Sequence, residues 1–231
     1  MNWWLWVRMK VRLNRYQRKT ERDTFEYIRS LDLKNTTVLD IGANKGIYSL
    51  FFAQQMLHTG AIWAFEPQPE LKDHLHRISQ VFSLSSLRIF DYGLSNQHTT
   101  AWLYRKATGH GGASLEVTNQ PEKVKVRLKR LDDVVKDHPP KHPVSLIKCD
   151  IENHELQCLK GATSTLKRYH PTLIIECHDQ LARSGELFEF LKSQGYQGTF
   201  FHRGTRLPLS HWAQYPYRKA DTHRNYIFEY H

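Results

Sequence analysis

The segment from Thr37 to Ser49, T-V-L-D-I-G-A-N-K-G-I-Y-S, most constrains how this chain can fold. A short apolar run leads to Gly42 and Gly46, four residues apart, and then to an amphipathic stretch, Ile47–Met56, that reads as a helix. Glycines at these positions allow a sharp turn and a close approach of the backbone to a ligand. A strand, a glycine turn and a helix in this order indicate an open α/β sheet with a nucleotide-sized ligand at the carboxyl ends of its strands.

The residues of this turn narrow the class of ligand. The pattern D-x-G-x-N-x-G lacks the third glycine of the dinucleotide loop G-x-G-x-x-G. Asp40 ends the first strand, and a carboxylate there favours a ligand with an ammonium group over a phosphate. The second strand, Ala61–Phe65, ends in Glu66 and Pro67, and a carboxylate there suits the two hydroxyls of a ribose. S-adenosylmethionine carries both an ammonium group and a ribose. The alternative interpretation is an ordinary strand-to-helix turn that is capped by Asn44.

The next segment completes the predicted ligand edge of the sheet. Pro69–Phe82 is predicted to be a helix and Leu87–Asp91 a third strand, followed by a turn that begins at Gly93 and Leu94. By themselves these residues show only a strand that ends in a turn.

Two further loops are candidates for contact with a substrate. Ala101–Arg105 and Val124–Leu128 alternate like strands, and the glycine-bearing loop Thr108–Ser114 lies between them. This loop is predicted to be either a mobile lid or an ordinary hairpin connection. Arg203–Asp221 is polar and aromatic and is predicted to be a loop, which either meets a substrate or simply closes the fold. Tyr226–Phe228 is predicted to be a closing strand.

The ionisable residues best suited to catalysis lie between Val144 and His178. One strand ends in Asp150 and Glu152, a helix is predicted from about His154 to Leu166, and a further strand ends in Glu176 and His178. If the two strands are neighbours, these four ionisable groups lie together beside the ligand crevice. In the alternative interpretation they cap helices and pair with nearby lysines, Lys148 or Lys160.

Several blocks of the sequence resemble one protein family. D-I-G-A-N-K-G-I-Y-S, A-F-E-P-Q-P-E, I-K-C-D-I-E-N-H-E, L-K-G-A and L-I-I-E-C-H occur in this order from about Val38 to His178. Together they are similar to the FkbM-like S-adenosylmethionine-dependent methyltransferases. The resemblance implies a single Rossmann-like, doubly wound, mostly parallel sheet of about seven strands with helices on both faces, the class I methyltransferase type. Asn153 departs from the glycine usual in the family, although asparagine tolerates a left-handed backbone better than most residues.

The motifs and the resemblance together assign site residues. The expected cofactor-binding residues are Asp40, Gly42, Asn44, Gly46, Tyr48, Glu66, Pro67, Asp91, Gly93, Leu94 and Asp150. His178 is the first candidate for the base that deprotonates an acceptor hydroxyl, because the pKa of histidine lies nearest neutrality. Asp150 or Glu152 could be the base instead, or could orient His178, and Glu176 lies in the same catalytic group. Alternatively, Asp150, Glu152 and Glu176 could hold Mg²⁺, which takes oxygen ligands.

Length, charge and cysteine content indicate the domain organisation, the class of partner and the location of the protein. The length of 231 residues suits one α/β domain with an extension, divided here into an extension at 1–31 and a cofactor-binding domain at 32–231. An excess of 33 basic over 23 acidic residues gives a net charge of +10, which favours anionic partners. The three cysteines lack a C-x-x-C pair and indicate buried thiols in a reducing compartment, so a cytoplasmic location is expected.

The first 22 residues are rich in aromatic and basic side chains. In a helix, Trp6, Met9, Leu13 and Tyr16 would share one face, and five basic residues, Arg8, Arg12, Arg15, Lys19 and Arg22, another. Such a helix is typical of one that lies in a membrane interface, so residues 3–22 could bind an anionic membrane surface at the inner membrane face. A first helix that merely covers the sheet would also be amphipathic. The apolar run of this segment, Trp3 to Val7, is too short to span a bilayer.

Three classes of function remain open. The resemblance implies O-methylation of a hydroxyl on a saccharide or glycan-like metabolite. A nucleic-acid methyltransferase is the second class, because the basic excess favours phosphate backbones. Against it, the sequence has no D-P-P-Y or N-P-P-Y stretch after a strand. The third class is a non-catalytic binding protein with the same fold. The sequence does not predict the oligomeric state.

Overall fold

The computed structural model describes residues 2–57, 59–116, 119–215 and 223–231. Strands β1 to β11 are Thr37–Ile41, Ala61–Phe65, Leu87–Phe90, Gly93–Leu94, Thr99–Arg105, Glu122–Lys129, Val144–Cys149, Thr172–His178, Tyr196–His202, Thr205–Pro208 and His223–Tyr230. Helices α1 to α9 are Trp3–Arg15, Arg22–Ser30, Ile47–Gln55, Pro69–Val81, Leu131–Asp137, Glu155–Lys160, Thr163–Tyr169, Asp179–Ser184 and Glu186–Ser193. A π-helix, Tyr16–Thr20, joins α1 to α2, and a 3₁₀-helix, Leu209–Gln214, follows β10.

The main sheet has eight strands in the described chain, in the spatial order β10-β9-β11-β8-β7-β1-β2-β3. The five strands from β8 to β3 pair in parallel, whereas β11 runs antiparallel to both of its neighbours. This confirms the expected doubly wound, mostly parallel sheet. The sheet has one strand more than the expected seven because β10 pairs with β9 at the edge.

The sheet is covered on both faces because successive strand residues point in opposite directions. Leu39 and Ile147 pack into one apolar cluster with residues of α5, α6, α7 and α9. Val38 and Leu146 pack into a second cluster with residues of α1, α2, α3 and α4. This arrangement leaves the carboxyl ends of β1, β2, β7 and β8 as the edge available to a ligand.

A small second sheet forms beside the ligand edge. Its order is β4-β6-β5, with β5 and β6 antiparallel; both of these elements are strands, as the alternating pattern predicts. Residues 106–116 follow β5, and we call them the covering loop. Tyr104 and Ser114 exchange backbone hydrogen bonds and fold this loop back towards the main sheet.

The sequence predicts one continuous helix from about His154 to Leu166. This prediction is wrong, because two short helices, α6 and α7, occupy the segment. Gly161 lies against the backbone of Ser95, and a Cβ at this position would come within 2.0 Å of the Ser95 carbonyl oxygen. The carboxylate of Asp132 accepts hydrogen bonds from the amide groups of Ser164 and Thr165 and so satisfies the start of the second helix. Both contacts come from distant parts of the chain, which a local helical pattern does not reveal.

Two other segments differ from the sequence expectation. Arg203–Asp221 was predicted to be a loop, but β10 and the 3₁₀-helix occupy much of it, and residues 216–222 lie outside the described residues. The N-terminal helix α1 forms as predicted, and Met9 and Leu13 of its apolar face are buried in the second cluster. Among the described residues, no helix is both long and apolar enough to cross a membrane.

Candidate active site

The turn after β1 adopts the geometry that its glycines predict. Gly42 has a φ of +79°, and a Cβ there would lie 1.9 Å from the carbonyl oxygen of Asp150. Gly46 has a φ of +71° and immediately precedes α3. Only glycine meets both demands at position 42, because other residues are strained at positive φ and their Cβ would clash with β7. The turn after β1 therefore packs closely against the backbone of Asp150, the residue that follows β7.

Asp40 is buried at the end of β1. Its Oδ2 accepts a hydrogen bond of 2.6 Å from the Ser49 hydroxyl, whereas Oδ1 has no hydrogen-bond partner among the described residues. Burial raises the pKa of Asp40, although the nearby Lys148 opposes this effect. A buried acceptor atom without a partner is expected to bind a donor from a ligand. This atom fits the ammonium group of the expected cofactor.

Glu66 is the second buried carboxylate of the ligand edge. Its two oxygens accept the amide hydrogens of Asn44, at 2.8 Å, and Gln68, at 3.0 Å. Burial raises its pKa to about 7. A carboxylate has about four acceptor positions, so two remain for the hydroxyls of a ribose. This geometry fits the role predicted for a carboxylate at the end of β2.

A narrow cavity of about 60 Å³ continues from Glu66 towards β4, and we call it the slot. It is lined by several expected cofactor-binding residues, namely Gly42, Asn44, Glu66, Pro67, Gly93, Leu94 and Asp150. His154 also lines the slot, and the Ser95 hydroxyl lies 2.9 Å from its Nε2. The covering loop closes one side through Gly111 and Ala113. The slot therefore brings together residues from the ends of β1 and β2, from β4 and from the covering loop.

A larger cavity of about 780 Å³ adjoins the slot, and we call it the acceptor cavity. Asp40, Tyr48, Asp150, Glu152 and Glu176 contribute to its wall. The N-terminal segment and β11 contribute further residues, including Arg12, Glu21, His223 and Asn225. Gly42, Asn44, Gly111, Asp150 and Glu152 line both cavities, so they form the junction between them.

Lys148 and Asp150 form an ion pair beneath this junction. The Lys148 Nζ lies 2.9 Å from Asp150 Oδ2, and Lys148 is almost completely buried. Burial alone would lower the pKa of Lys148, but the carboxylates of Asp150 and Asp40 outweigh burial and raise it. A buried lysine is retained at low cost only beside such carboxylates. This pairing was the alternative that the sequence left open for Asp150, and it leaves Asp150 on the cavity wall.

Glu152 and His178 form a second pair. His178 Nε2 lies 2.7 Å from Glu152 Oε2, and this hydrogen bond raises the pKa of His178. Glu152 lines both cavities, whereas His178 is not among the lining residues described for either. Glu152 has a φ of +56° and Asn153 a φ of +76°, so the asparagine adopts the left-handed backbone that the usual glycine would allow. Left-handed residues in sequence often mark functional sites.

Glu176 differs from the other carboxylates of the wall. Burial and the neighbouring Asp150 raise its pKa to about 9, so it keeps its proton at neutral pH. His223 Nε2 lies 3.1 Å from Glu176 Oε1. Asp150, Glu152 and Glu176 thus have separate partners, and no group of three His, Cys, Asp or Glu in the described residues could hold a metal ion. The side chains do not fit the Mg²⁺ site that the sequence suggested.

Four of the predicted cofactor residues do not line the slot: Asp40 and Tyr48 line the acceptor cavity instead, and Gly46 and Asp91 line neither cavity. The carboxylate of Asp91 pairs with Lys72 at 3.3 Å and with Arg127 at 2.8 Å, and 40% of the side chain is exposed. Both cations come from elements that a strand pattern cannot place beside Asp91. Leu94, Ile151 and His154, in contrast, do line the slot.

Glu21 is a site residue that the sequence analysis missed. Its Oε2 accepts hydrogen bonds from the Tyr48 hydroxyl and, at 2.9 Å, from the amide group of Asn225. The N-terminal extension, α3 and β11 therefore meet at one carboxylate on the wall of the acceptor cavity. No local pattern predicts this contact, because Glu21 and Asn225 are 204 residues apart.

Comparison with known proteins identifies the family of this chain. The sequence model of the methyltransferase FkbM domain matches residues 40–197. Methyltransferase sdnD of Sordaria araneosa is 26% identical over 195 residues, which cover 71% of this chain and 75% of that protein.

Solved structures show the same fold. The methyltransferase FkbM from Methylobacillus flagellatus KT has a TM-score of 0.57 and 18% identity; the match covers 87% of this chain and 45%, less than half, of that longer chain. A protein from Streptococcus mutans, described as a methyltransferase and solved in complex with SAH, has a TM-score of 0.53 and 10% identity, with 89% and 94% of the two chains covered. Since the family match extends over most of the sequence, the chain belongs to the FkbM family of methyltransferases.

Proposed function

We propose that this protein is an S-adenosylmethionine-dependent O-methyltransferase whose acceptor is a hydroxyl of a saccharide or a similar metabolite. One observation carries the proposal: Asp150 and Glu152 lie at the junction of the slot and the acceptor cavity. A methyl donor in the slot and an acceptor in the larger cavity would meet at these two carboxylates. Carboxylates at that point suit an acceptor group that must lose a proton as it reacts.

The slot and the adjoining wall of the acceptor cavity would together hold the cofactor through carboxylates that have free acceptor positions. Asp40 Oδ1 is a buried acceptor for the ammonium group, and Glu66 has positions left for the ribose hydroxyls. The bound cofactor supplies an electrophilic methyl group on a sulfonium centre. The main contribution of the protein is then alignment of the acceptor with that centre, which can supply several kcal/mol.

Among the ionisable groups, Glu152 is best placed to receive the proton of an acceptor hydroxyl. It faces both cavities, and His178 behind it can share a proton through their 2.7 Å hydrogen bond. Asp150 is held by Lys148, and Glu176 is already protonated at neutral pH because its pKa is raised to about 9. We therefore assign the base to Glu152 and treat His178 as a positioning residue.

Two partner proposals accompany this function. Binding to an anionic membrane surface is supported by Trp3 and Trp4, which are 56% and 72% exposed on α1. Burial of Met9 and Leu13 argues against insertion of the whole apolar face. An RNA acceptor is the second candidate function, supported by the net charge of +10.

The experiment that tests the function is calorimetric titration of S-adenosylhomocysteine into the wild type, Glu66→Gln and the exposed control Glu189→Gln. We expect binding to the wild type and at least about tenfold weaker binding to Glu66→Gln, because a hydrogen bond to a charged group is worth about 1.5–3 kcal/mol. The control should bind like the wild type. A folded wild type that binds no S-adenosylhomocysteine would contradict the proposal.

Transfer from methyl-labelled S-adenosylmethionine then identifies the acceptor class. Saccharides and total RNA are offered in parallel, and the products are treated with mild alkali. An alkali-stable label on a saccharide supports a methyl ether at a hydroxyl. Label on RNA alone would favour the second candidate.

A further inference from the structure

Five basic side chains gather beside the acceptor cavity. Arg8 and Arg12 project from α1, Lys45 from the turn before α3, and His74 and Arg77 from α4. Arg12 and Lys45 line the cavity itself. We call these five residues the basic rim. Where the structure describes the chain, none of them forms an ion pair with a carboxylate.

The members of the basic rim repel one another. Burial, Arg12 and Arg8 lower the pKa of Lys45, and burial, Arg77 and Lys45 lower the pKa of His74. The buried Nε2 of His74 also has no hydrogen-bond partner in the described chain. Like charges held together without a counter-charge are unfavourable. An anion from outside the chain would relieve this repulsion.

Position, more than the lack of an ion pair, sets the basic rim apart. Some basic residues of the described chain are paired internally, Arg105 with Glu70 and Glu122 and Arg206 with Glu229, whereas others on the surface, like Lys34, have no such pair. Arg12 and Lys45 differ from those surface cations because they line the wall of a cavity, where a ligand can reach them.

The wall of the acceptor cavity carries both acidic and basic groups. Asp150, Glu152 and Glu176 lie at the strand ends, and Arg12 and Lys45 lie, with Glu21 and Asp23, on the wall formed by the N-terminal segment and the turn before α3. The volume of about 780 Å³ is within the usual range for sites that bind small molecules. A ligand with a hydroxyl at one end and an anionic group at the other would match both walls.

We propose that Arg12 and Lys45, supported by Arg8, His74 and Arg77, bind a phosphate group carried by the methyl acceptor. The acceptor is then a phosphorylated hydroxyl compound, with its hydroxyl at Glu152 and its phosphate at the basic rim. Arginine suits the oxygens of phosphate because its guanidinium donates two parallel hydrogen bonds, and lysine adds a point charge. A phosphate carries enough charge to neutralise several cations, which a single carboxylate does not. This inference rests on the proposed function, because it places the acceptor in the same cavity.

The test measures phosphate binding apart from methyl transfer. Inorganic pyrophosphate and glucose 1-phosphate are titrated calorimetrically into the wild type, the double variant Arg12→Gln/Lys45→Gln and Lys34→Gln. Lys34 is an exposed control that precedes β1 at the opposite edge of the sheet. We expect binding at least about tenfold weaker in the double variant and unchanged in Lys34→Gln, because charge-assisted hydrogen bonds to phosphate are lost only in the first.

S-adenosylhomocysteine binding is measured on the same proteins. It should be equal in all three, which also shows that the double variant is folded. If pyrophosphate fails to bind the wild type, or if Lys34→Gln weakens binding as much as the double variant, the phosphate site is overturned. If S-adenosylhomocysteine alone fails to bind, the methyltransfer proposal fails and the phosphate site stands.

A third arm identifies the carrier of the phosphate. Vesicles of phosphatidylcholine with and without phosphatidic acid are sedimented with the wild type and the double variant. Binding that requires both phosphatidic acid and the intact basic rim supports a lipid phosphate. Binding of glucose 1-phosphate alone supports a soluble one.

Discussion

Gly42 and Gly185 have nearly the same backbone conformation, with φ of +79° and +73°, but different surroundings. A Cβ at Gly42 would lie 1.9 Å from the Asp150 carbonyl oxygen, whereas a Cβ at Gly185 would meet nothing within 4 Å. Both Gly→Ala variants pay about 1–2 kcal/mol for left-handed backbone. Gly42→Ala should lose about 1–3 kcal/mol more through overpacking.

Urea unfolding of both variants measures this difference, and titration of S-adenosylhomocysteine measures its effect on the site. We expect weakened binding only in Gly42→Ala, because only there would β1 and β7 have to separate. Equal stabilities for the two variants would show that the contact with Asp150 is not tight.

At the residue scale, the sequence predicted the parts of the site that depend on local pattern. Asp40 and Glu66 could be assigned because each carboxylate ends an apolar strand, and strand ends share one edge of the sheet. Asp91 satisfied the same rule and yet pairs with Lys72 and Arg127. Glu21 gave no signal, since its partners are distant in sequence. Pairings between distant side chains are set by packing, which a one-dimensional pattern does not contain.

The covering loop lies over the site and is held by hydrogen bonds near both of its ends. Arg105 is 8% exposed and binds Glu70, whose Oε1 also accepts the amide hydrogen of Gly109 at 2.7 Å. Ser114 donates a hydrogen bond of 2.9 Å to the Glu152 carbonyl oxygen and holds the other end. The loop therefore links the cofactor side of the sheet to the acceptor side.

Replacing Arg105 should loosen this loop. In Arg105→Gln we expect faster amide hydrogen exchange within residues 106–116 and about tenfold faster dissociation of S-adenosylhomocysteine, because a charged pair worth more than 1 kcal/mol is lost. Arg206→Gln is the matched control, since it breaks the Arg206–Glu229 pair away from the slot. Unchanged exchange in the loop would mean that Arg105 does not restrain it.

Elements with strong local signals were predicted well. The strand, turn and helix from Thr37 to Gln55 follow from apolar periodicity and two glycines. The division between α6 and α7 could not be predicted in this way, because Asp132 caps α7 from another part of the chain. The strand β10 also escaped prediction, since its four residues, T-R-L-P, have no alternating apolar pattern.

Buried carboxylates make the stability of the whole molecule depend on pH. Burial raises the pKa of Glu66 and Glu155 to about 7 and that of Glu176 to about 9, from an ordinary value of 4.5. Between 4.5 and the raised pKa, the folded state keeps a proton that the unfolded state has released. Folding therefore becomes less favourable as the pH rises through that interval, and each group can contribute up to about 1.4 kcal/mol per pH unit.

We expect the free energy of unfolding of the wild type to fall between pH 7 and pH 9, because folded Glu176, with a pKa of about 9, still holds there a proton that the unfolded chain has released. Glu176→Gln should flatten this decrease, because the amide resembles the protonated carboxyl and does not ionise. Urea unfolding at a series of pH values measures the slope, with the exposed Glu189→Gln as control. A slope that Glu176→Gln leaves unchanged would assign the decrease to other groups.

The two cavities draw their walls from different parts of the chain. The family match covers residues 40–197, which contain every residue that lines the slot. The outer wall of the acceptor cavity comes from Arg12–Thr24 and from Phe201 and His223–Asn225, all outside that match. The family match therefore accounts for the slot but not for the outer wall of the acceptor cavity. Under the proposed function, the choice of acceptor then depends on segments that the family pattern does not specify.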